Sequence, residues 1–203
     1  MLRVLIAMVA GVATGPLLTK TISGYARPPA TGAAAVTAAG AFAVLACRVT
    51  APLALAALCW VAGLGIALGF VDAARHRLPD RLTMPAFAGA LALLTADALV
   101  GGRFAALASA VLSGLAMAGF YAVLVLVNPA GMGAGDAKLG LSVGTGLGWL
   151  GGDVAFLGAL AGLALASAYA MVLLSRGRIS RTARLAHGPF MLLGAVLAVA
   201  VTG

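Results

Sequence analysis

The sequence predicts an all-α membrane protein with about eight transmembrane helices. Three observations predict it: 63% of the 203 residues are hydrophobic, only 9% are charged, and the mean hydropathy is +1.13. Soluble domains carry about 25% charged residues, so this composition excludes a water-soluble globule, a disordered segment and a disulfide scaffold. Several apolar runs approach the roughly 20 residues that cross a bilayer as a helix. We therefore expect a single integral membrane domain over residues 1–203.

Apolar runs between charged or turn-rich breaks predict the eight helices in order. The predicted ranges are 2–19, 33–48, 52–71, 83–100, 104–127, 136–149, 153–175 and 187–202. A single basic residue, Arg3, precedes the first run, and seven further runs follow it. We therefore interpret the first run as a retained helix and not as a cleaved signal peptide.

The net charge of +8 comes from thirteen Lys and Arg residues against five aspartates. Eight spans place the loops 20–32, 72–82, 128–135 and 176–186 on one side of the membrane. Ten cationic residues fall on that side: Lys20, Arg27, Arg75, Arg77, Arg81, Lys138, Arg176, Arg178, Arg181 and Arg184.

Only Arg3, Arg48 and Arg103 fall on the other side. Because Lys and Arg collect in cytoplasmic loops, this split predicts that the four loops are cytoplasmic and that both termini lie outside. The positive charge is then a topological signal, and we expect no nucleic-acid partner.

Glycines repeat every fourth residue on the sixth predicted helix, at Gly140, Gly144 and Gly148. Such a face lets helix backbones approach closely in lipid, so we predict a packing surface there. Some G-x-x-x-G matches are expected by chance in a chain with 28 glycines, so the prediction rests on this face and not on the other pairs, which are Gly11 and Gly15, Gly65 and Gly69, and Gly158 and Gly162.

Asp72 is the first candidate functional residue. It follows the apolar run 64–71 at the predicted cytoplasmic end of the third helix. An ionisable side chain at such a position is costly and is a functional candidate by default. The alternative is an aspartate neutralised by Arg75 or His76, one turn further on.

Asp136 is the second candidate, at the start of the sixth helix after a segment with glycine at 131, 133 and 135. Aspartate is a preferred helix cap and suits the positive helix end, which alone could explain it. Capping does not explain the glycine-rich segment before Asp136, which allows close backbone contacts.

The predicted topology places Asp72 and Asp136 at similar depth near the cytoplasmic face. If their helices are neighbours, the two carboxylates can face each other. Two such groups do not both ionise easily, so one holds a proton while the other acts as a base on water. This is the chemistry of aspartic proteases.

The other polar candidates are weaker. Asp80 is expected to cap or stabilise the fourth helix, and Lys138 could tune the acid pair or bind lipid phosphate. Asp97 and Asp153 lie at the opposite face, where we expect them to be solvated or capping. Neither the two cysteines nor the two histidines have metal-ligand spacing, so no metal site is predicted.

Three segments together resemble the type IV prepilin peptidases, a family of intramembrane aspartic peptidases. Residues 133–139 are similar to the family's G-x-G-D motif. Asp72, with the Leu-Pro-Asp and Leu-Thr of residues 77–83 behind it, resembles the family's first catalytic aspartate. The His-Gly-Pro-Phe-Met of residues 187–191, with Gly194, is similar to the Gly-Pro-Phe segment that opens the last helix. All three lie in the family's order within residues 60–200.

The resemblance implies that Asp72 and Asp136 are the catalytic aspartates of a prepilin leader peptidase in the bacterial cytoplasmic membrane. Its substrates would be prepilins or pseudopilins, in which a short basic leader precedes an apolar helix. Peptide hydrolysis by this mechanism requires no metal or other cofactor. The motif residues that we expect to shape substrate binding are Gly133, Gly135, Lys138, Pro79 and Asp80.

The sequence departs from the longer family members in the loop 20–32, which has no cysteine. Those members carry a zinc-binding segment there, and many also methylate the new amino terminus with S-adenosylmethionine. The resemblance is therefore to a short form without the zinc segment, and methyltransferase activity stays open.

Two other functions fit the same residues. A transporter could relay protons or bind a cation at the aspartates, although no acid lies mid-membrane to continue a path. A noncatalytic subunit of a pilus or secretion assembly could use the glycine faces for contacts.

Overall fold

The computed structural model describes residues 1–129, 131–180 and 184–202, and these residues form helices and turns without a strand. The helices are α1 (Leu2–Ser23), α2 (Thr31–Arg48), α3 (Pro52–Arg75), α4 (Asp80–Gly101), α5 (Phe104–Val127), α6 (Ala134–Leu150), α7 (Gly152–Ser175) and α8 (Gly188–Val201). The eight predicted helices are thus all present.

Six of these helices, α1 to α5 and α7, are long and apolar enough to cross a membrane. Helices α6 and α8 have 17 and 14 residues. At about 1.5 Å per residue, α8 extends only about 21 Å, less than the roughly 30 Å of a hydrocarbon core. Apolar side chains such as Ile6, Leu126 and Phe156 are exposed on the outer helix surfaces. The protein is therefore a polytopic helical membrane protein.

Glycines bring antiparallel helices into backbone contact. A methyl group added at Gly144 in α6 would lie 2.8 Å from the Ser113 carbonyl oxygen in α5. Such contact confirms the packing face predicted for α6. Two of the other glycine pairs also contact a neighbouring helix backbone: at Gly11 an added methyl would lie 2.5 Å from Ala39 Cα in α2, and at Gly162 it would lie 3.0 Å from Met191 Cα in α8.

The helix ends near the candidate aspartates differ from the predicted ones. Helix α3 continues through Asp72 to Arg75 and ends at His76, whose φ of 52° is left-handed and whose N–H donates to the Asp72 carbonyl oxygen at 2.8 Å. Helix α4 begins at Asp80, directly after Pro79. The predicted loop 72–82 is therefore only four residues long, 76–79. Helix α6 likewise begins at Ala134, two residues before Asp136.

The cationic residues divide between the two ends of the bundle as predicted. Arg3 donates to the Ala46 carbonyl oxygen at 2.8 Å, and Arg48 donates to the Ala200 carbonyl oxygen, so the start of α1 and the end of α8 lie at the end opposite Asp72. Nine of the ten cations grouped with the aspartates lie at the Asp72 end, while Arg181 lies outside the described residues. The assignment of that end to the cytoplasm stays a prediction of the positive-inside rule.

Candidate active site

Asp72 and Asp136 line one cavity of about 600 Å³ at the same end of the bundle. Its wall comes from the α1–α2 loop, the end of α3, the α3–α4 loop, the residues around the start of α6 and the α7–α8 loop. The lining residues are Tyr25, Val71, Asp72, Arg75, His76, Arg77, Leu78, Pro79, Gly133, Ala134, Gly135, Asp136, Arg184 and Leu185. The two aspartates, which the predicted topology placed at similar depth, therefore line the same cavity, and their catalytic role stays a prediction.

Asp72 lies in the last turn of α3 and is only 5% exposed. Its Oδ2 atom accepts a hydrogen bond of 2.9 Å from the backbone N–H of Gly188, the first residue of α8. A methyl group at Gly188 would lie 3.0 Å from that oxygen, so the close approach depends on glycine. The alternative interpretation was neutralisation by Arg75 or His76: the charge of His76 does act on Asp72, but the hydrogen bond to the carboxylate comes from Gly188. A backbone amide, and not a guanidinium, holds the carboxylate.

Asp136 is the third residue of α6 and is 6% exposed. Its Oδ2 atom accepts a hydrogen bond of 3.0 Å from the N–H of Gly133, the residue that caps the helix. Its own N–H donates to the Gly133 carbonyl oxygen at 3.0 Å. The Oδ1 atom is buried and has no hydrogen-bond partner within the described residues. The carboxylate therefore caps the helix with one oxygen and leaves the other available.

The two carboxylates have the same kind of environment. Each has one oxygen held by a glycine N–H from a helix start, and the charge of Arg184 acts on both. The charge of Asp72 also acts on Asp136, and the charge of His76 acts on Asp72. Such a pair can take a proton from water and return one to a reacting group. Across the described residues, no three His, Cys, Asp or Glu side chains gather to hold a metal ion.

Gly133 and Gly135, which precede Asp136, contact different neighbours. A methyl group at Gly135 would lie 2.6 Å from Leu78 Cβ, so this glycine lets the α3–α4 loop pack onto the start of α6. At Gly133 the nearest atom would be Arg184 Nη2, at 3.0 Å, the end of a flexible side chain. Gly135 thus joins the segments that carry the two aspartates. Pro79, also expected in the site, lines the cavity.

Lys138 and Asp80 are placed differently from the other motif residues. Lys138 Nζ lies 2.6 Å from Asp80 Oδ1, with the two side chains 40% and 64% exposed, and neither residue lines the cavity. This ion pair joins the starts of α4 and α6. Lys138 therefore pairs with Asp80 and does not contact the acid pair.

The structure adds residues that the sequence did not single out. Arg184 lines the cavity, and Gly188 holds Asp72. His187, which caps α8, lies 3.1 Å through Nε2 from the hydroxyl of Tyr121 in α5. The Gly-Pro-Phe resemblance marked residues 187–190 without giving them a role. No feature of the sequence singled out Tyr121, because an aromatic residue within an apolar helix usually just packs in the core.

Comparison with known proteins gives two matches. Residues 55–203 match the model of the type IV leader peptidase family. The chain is also 39% identical over 104 residues to a prepilin leader peptidase/N-methyltransferase of Aeromonas hydrophila. That alignment covers 48% of this chain and 32% of the relative, so it spans about a third of the relative's length. No solved structure matches the chain.

Proposed function

Because this chain belongs to the type IV leader peptidase family, we propose that it is an aspartic endopeptidase that removes the short basic leader from prepilins or pseudopilins. One observation supports this function above all others. Asp72 and Asp136, which lie on different helices and far apart in the chain, are both buried and both line one cavity.

The proposed reaction is hydrolysis of one peptide bond by a water molecule between the carboxylates. The ionised carboxylate takes a proton from the water, and the oxygen attacks the carbonyl carbon while the protonated carboxyl gives its proton to the carbonyl oxygen. Collapse of the tetrahedral intermediate breaks the C–N bond: the nitrogen receives a proton from the protonated carboxyl, and one hydroxyl of the intermediate returns its proton to the other carboxylate, which restores the singly protonated pair. The products are a new carboxyl group on the leader and a new amine on the mature protein. The buried Oδ1 of Asp136 has no hydrogen-bond partner among the described residues, so it is the oxygen that a bound water or a proton would satisfy.

The depth of the cavity agrees with such a substrate. It opens at the end of the bundle where the cationic loops gather, which the positive-inside rule assigns to the cytoplasm. A basic leader would stay on that side while its apolar helix lies in the bilayer. The scissile bond would then lie at the depth of the aspartates, in the bacterial cytoplasmic membrane.

A methyl transfer to the new amine is a separate proposal. It would require S-adenosylmethionine as the methyl donor, and the name of the Aeromonas relative includes this second activity. Transfer of a labelled methyl group from S-adenosylmethionine to cleaved pilin would establish it. Cleavage without transfer would restrict this chain to the peptidase reaction.

The test of the peptidase function is cleavage of a prepilin by the purified chain in detergent, with mass spectrometry of both products. We expect one cut at the junction of the basic leader and the apolar helix. The matched control is a protein that carries both Asp72→Asn and Asp136→Asn, purified in the same way. Equal cleavage by this control would reveal a contaminating protease.

The same assay separates the alternatives. A chain that cleaves no prepilin contradicts the peptidase proposal and favours a noncatalytic assembly subunit. Proton or cation flux through proteoliposomes, abolished by the same substitutions, would instead favour a transporter. The peptidase proposal predicts cleavage and no such flux.

A further inference from the structure

We propose that Tyr121 and His187 form a positioning pair that sets the separation of the two catalytic carboxylates; this inference rests on the proposed peptidase function. The two aspartates are on α3 and α6, and neither carries a hydrogen bond to the other's helix in the described residues. Their separation is therefore set by packing, of which the contact of Gly135 with Leu78 is one part, and by links through other elements.

The first link runs from Asp72 to the start of α8. The Gly188 N–H donates to Asp72, and the preceding residue, His187, caps α8 by accepting hydrogen bonds from the N–H groups of Phe190 and Met191 at 3.0 and 3.1 Å. Because His187 and Gly188 share a peptide bond, a displacement of the His187 backbone moves the amide that holds Asp72.

The second link runs from His187 to α5. Its Nε2 lies 3.1 Å from the Tyr121 hydroxyl, and the two rings are 5.1 Å apart between centroids with a tilt of 53°. Both side chains are buried, Tyr121 completely and His187 at 5% exposure. A hydrogen bond in such a setting holds its two partners firmly, because either one left alone would be a buried, unsatisfied polar group.

The third link runs from Tyr121 to α6. A methyl group at Gly140 would lie 2.9 Å from Tyr121 Cδ2, so the tyrosine ring packs directly on the backbone of this glycine. Gly140 is one turn after Asp136, on the same face of α6. The charge of Asp136 also acts on the Tyr121 hydroxyl. The pair thus connects the element that holds Asp72 with the helix that carries Asp136.

His187 is suited to a fixed mechanical role because its charge does not change near neutral pH. Burial lowers the pKa of His187 to about 4, so the imidazole is neutral in the folded protein. Because the ring stays neutral, its hydrogen bond with the tyrosine hydroxyl does not change near neutral pH. Neither residue lines the catalytic cavity, so both act through other groups.

The first test is Tyr121→Phe, which removes the hydroxyl and keeps the ring on Gly140. We expect kcat for prepilin cleavage to fall about tenfold with KM within about twofold of the parent, because the carboxylates lose their alignment while the substrate contacts remain. The matched control is Tyr169→Phe, an exposed tyrosine whose ring lies 5.2 Å from Phe190. It should leave kcat unchanged.

A double variant separates positioning from mere stabilisation. In Tyr121→Phe with His187→Phe, both polar partners are replaced by rings of similar shape, so no buried polar group is left unsatisfied. We expect the unfolding temperature to return towards the parent value while kcat stays about tenfold low. Recovery of kcat together with stability would overturn the positioning role.

NMR of the histidine ring reports directly on the hydrogen bond between His187 and Tyr121. The chain has two histidines, so nitrogen NMR of labelled histidine in a His76→Gln background observes His187 alone. We expect a neutral imidazole at pH 6 whose Nε2 signal moves in Tyr121→Phe and not in Tyr169→Phe. An Nε2 signal that does not move, or a Tyr121→Phe variant with the parental kcat, contradicts the positioning role of Tyr121 and His187. Prepilin cleavage by the parent would still support the proposed function in that case. A parent chain that cleaves no prepilin contradicts the proposed function and this inference with it.

Discussion

The two ends of the bundle each hold buried aspartates, but the partners of these aspartates differ. At one end Asp97 is 2% exposed and lies 2.7 Å from Nη2 of Arg103, whose guanidinium is 5.9 Å from the centre of the Trp149 ring. At the other end Asp72 and Asp136 are 5% and 6% exposed and accept hydrogen bonds from backbone N–H groups.

The difference shows that burial alone does not mark a reactive carboxylate. A guanidinium balances the Asp97 charge permanently, so that group is suited to holding helices together. A single backbone amide orients a carboxylate and leaves its second oxygen free for a proton or a water. The expectation that Asp97 is solvated or capping was wrong, because Arg103 lets it lie buried.

The largest stability effect is expected from breaking the Arg103 pair. Arg103→Gln leaves Asp97 buried without a cationic partner, so the free energy of unfolding should fall by about 3 kcal/mol. Asp97→Asn should cost less, because the Arg103 side chain is 42% exposed and can turn to solvent. Unfolding in detergent, followed by tryptophan fluorescence, measures both. Equal losses of unfolding free energy in the two variants would contradict this asymmetry. A strong loss of prepilin cleavage by the folded Asp97→Asn variant would contradict the functional difference between the two ends of the bundle.

A pH-dependent effect of similar size is expected from His187. Its pKa is about 4 in the folded protein and near 6.5 when unfolded, so the unfolded chain binds more protons between these values. Stability is therefore complete above about pH 6.5 and is lost as the pH falls towards 4, by up to about 3 kcal/mol. Unfolding temperatures at pH 7 and pH 4.5 should show a smaller drop for His187→Phe than for the parent. A drop of the same size in both proteins would exclude His187 as its cause.

The packing of Gly135 on Leu78 gives a geometric test of the aspartate end. Gly135→Ala must push the α3–α4 loop away from the start of α6, and misplacement by about 1 Å can cost about a hundredfold in rate. Gly133→Ala brings its methyl to 3.0 Å from the flexible end of Arg184 and only to 3.9 Å from Asp136 Oδ2, an ordinary contact, so it should cost much less. Cleavage rates of the two folded variants measure the difference. Equal rates would show that this loop contact does not set the site.

The smallest effect is expected from the exposed ion pair of Lys138 and Asp80. Exposed pairs contribute about 0.2–1 kcal/mol, and neither residue lines the cavity. Lys138→Gln and Asp80→Asn should therefore each change the cleavage rate by less than about threefold. A much larger loss in either variant would place that residue in the reaction after all.

The sequence predicted the number of helices and the grouping of the cations because both depend on hydropathy and charge along the chain. It also predicted the aspartate pair, because Asp72 and Asp136 follow apolar and glycine-rich segments. The ends of α3 and α6 were misplaced by a few residues. Asp72 lies inside the last turn of its helix because a left-handed His76, and not the first polar side chain, ends that helix.

Contacts between segments that are distant in the chain could not be predicted from local sequence patterns. The Gly188 amide reaches Asp72 across 116 positions of the chain, and the His187 contact to Tyr121 spans 66. Such contacts follow from how the helices pack, and a single sequence contains no period or motif that encodes them. The pairing of Lys138 with Asp80 was missed for the same reason.

The most direct measurement of the central claim is the prepilin cleavage rate of Asp72→Asn, Asp136→Asn and Asp97→Asn, each purified as a folded protein. All three substitutions remove one buried carboxylate charge and keep nearly the same shape. We predict that the first two abolish cleavage and that Asp97→Asn retains it. Full cleavage by Asp72→Asn or by Asp136→Asn would contradict the claim that these two carboxylates carry out the reaction.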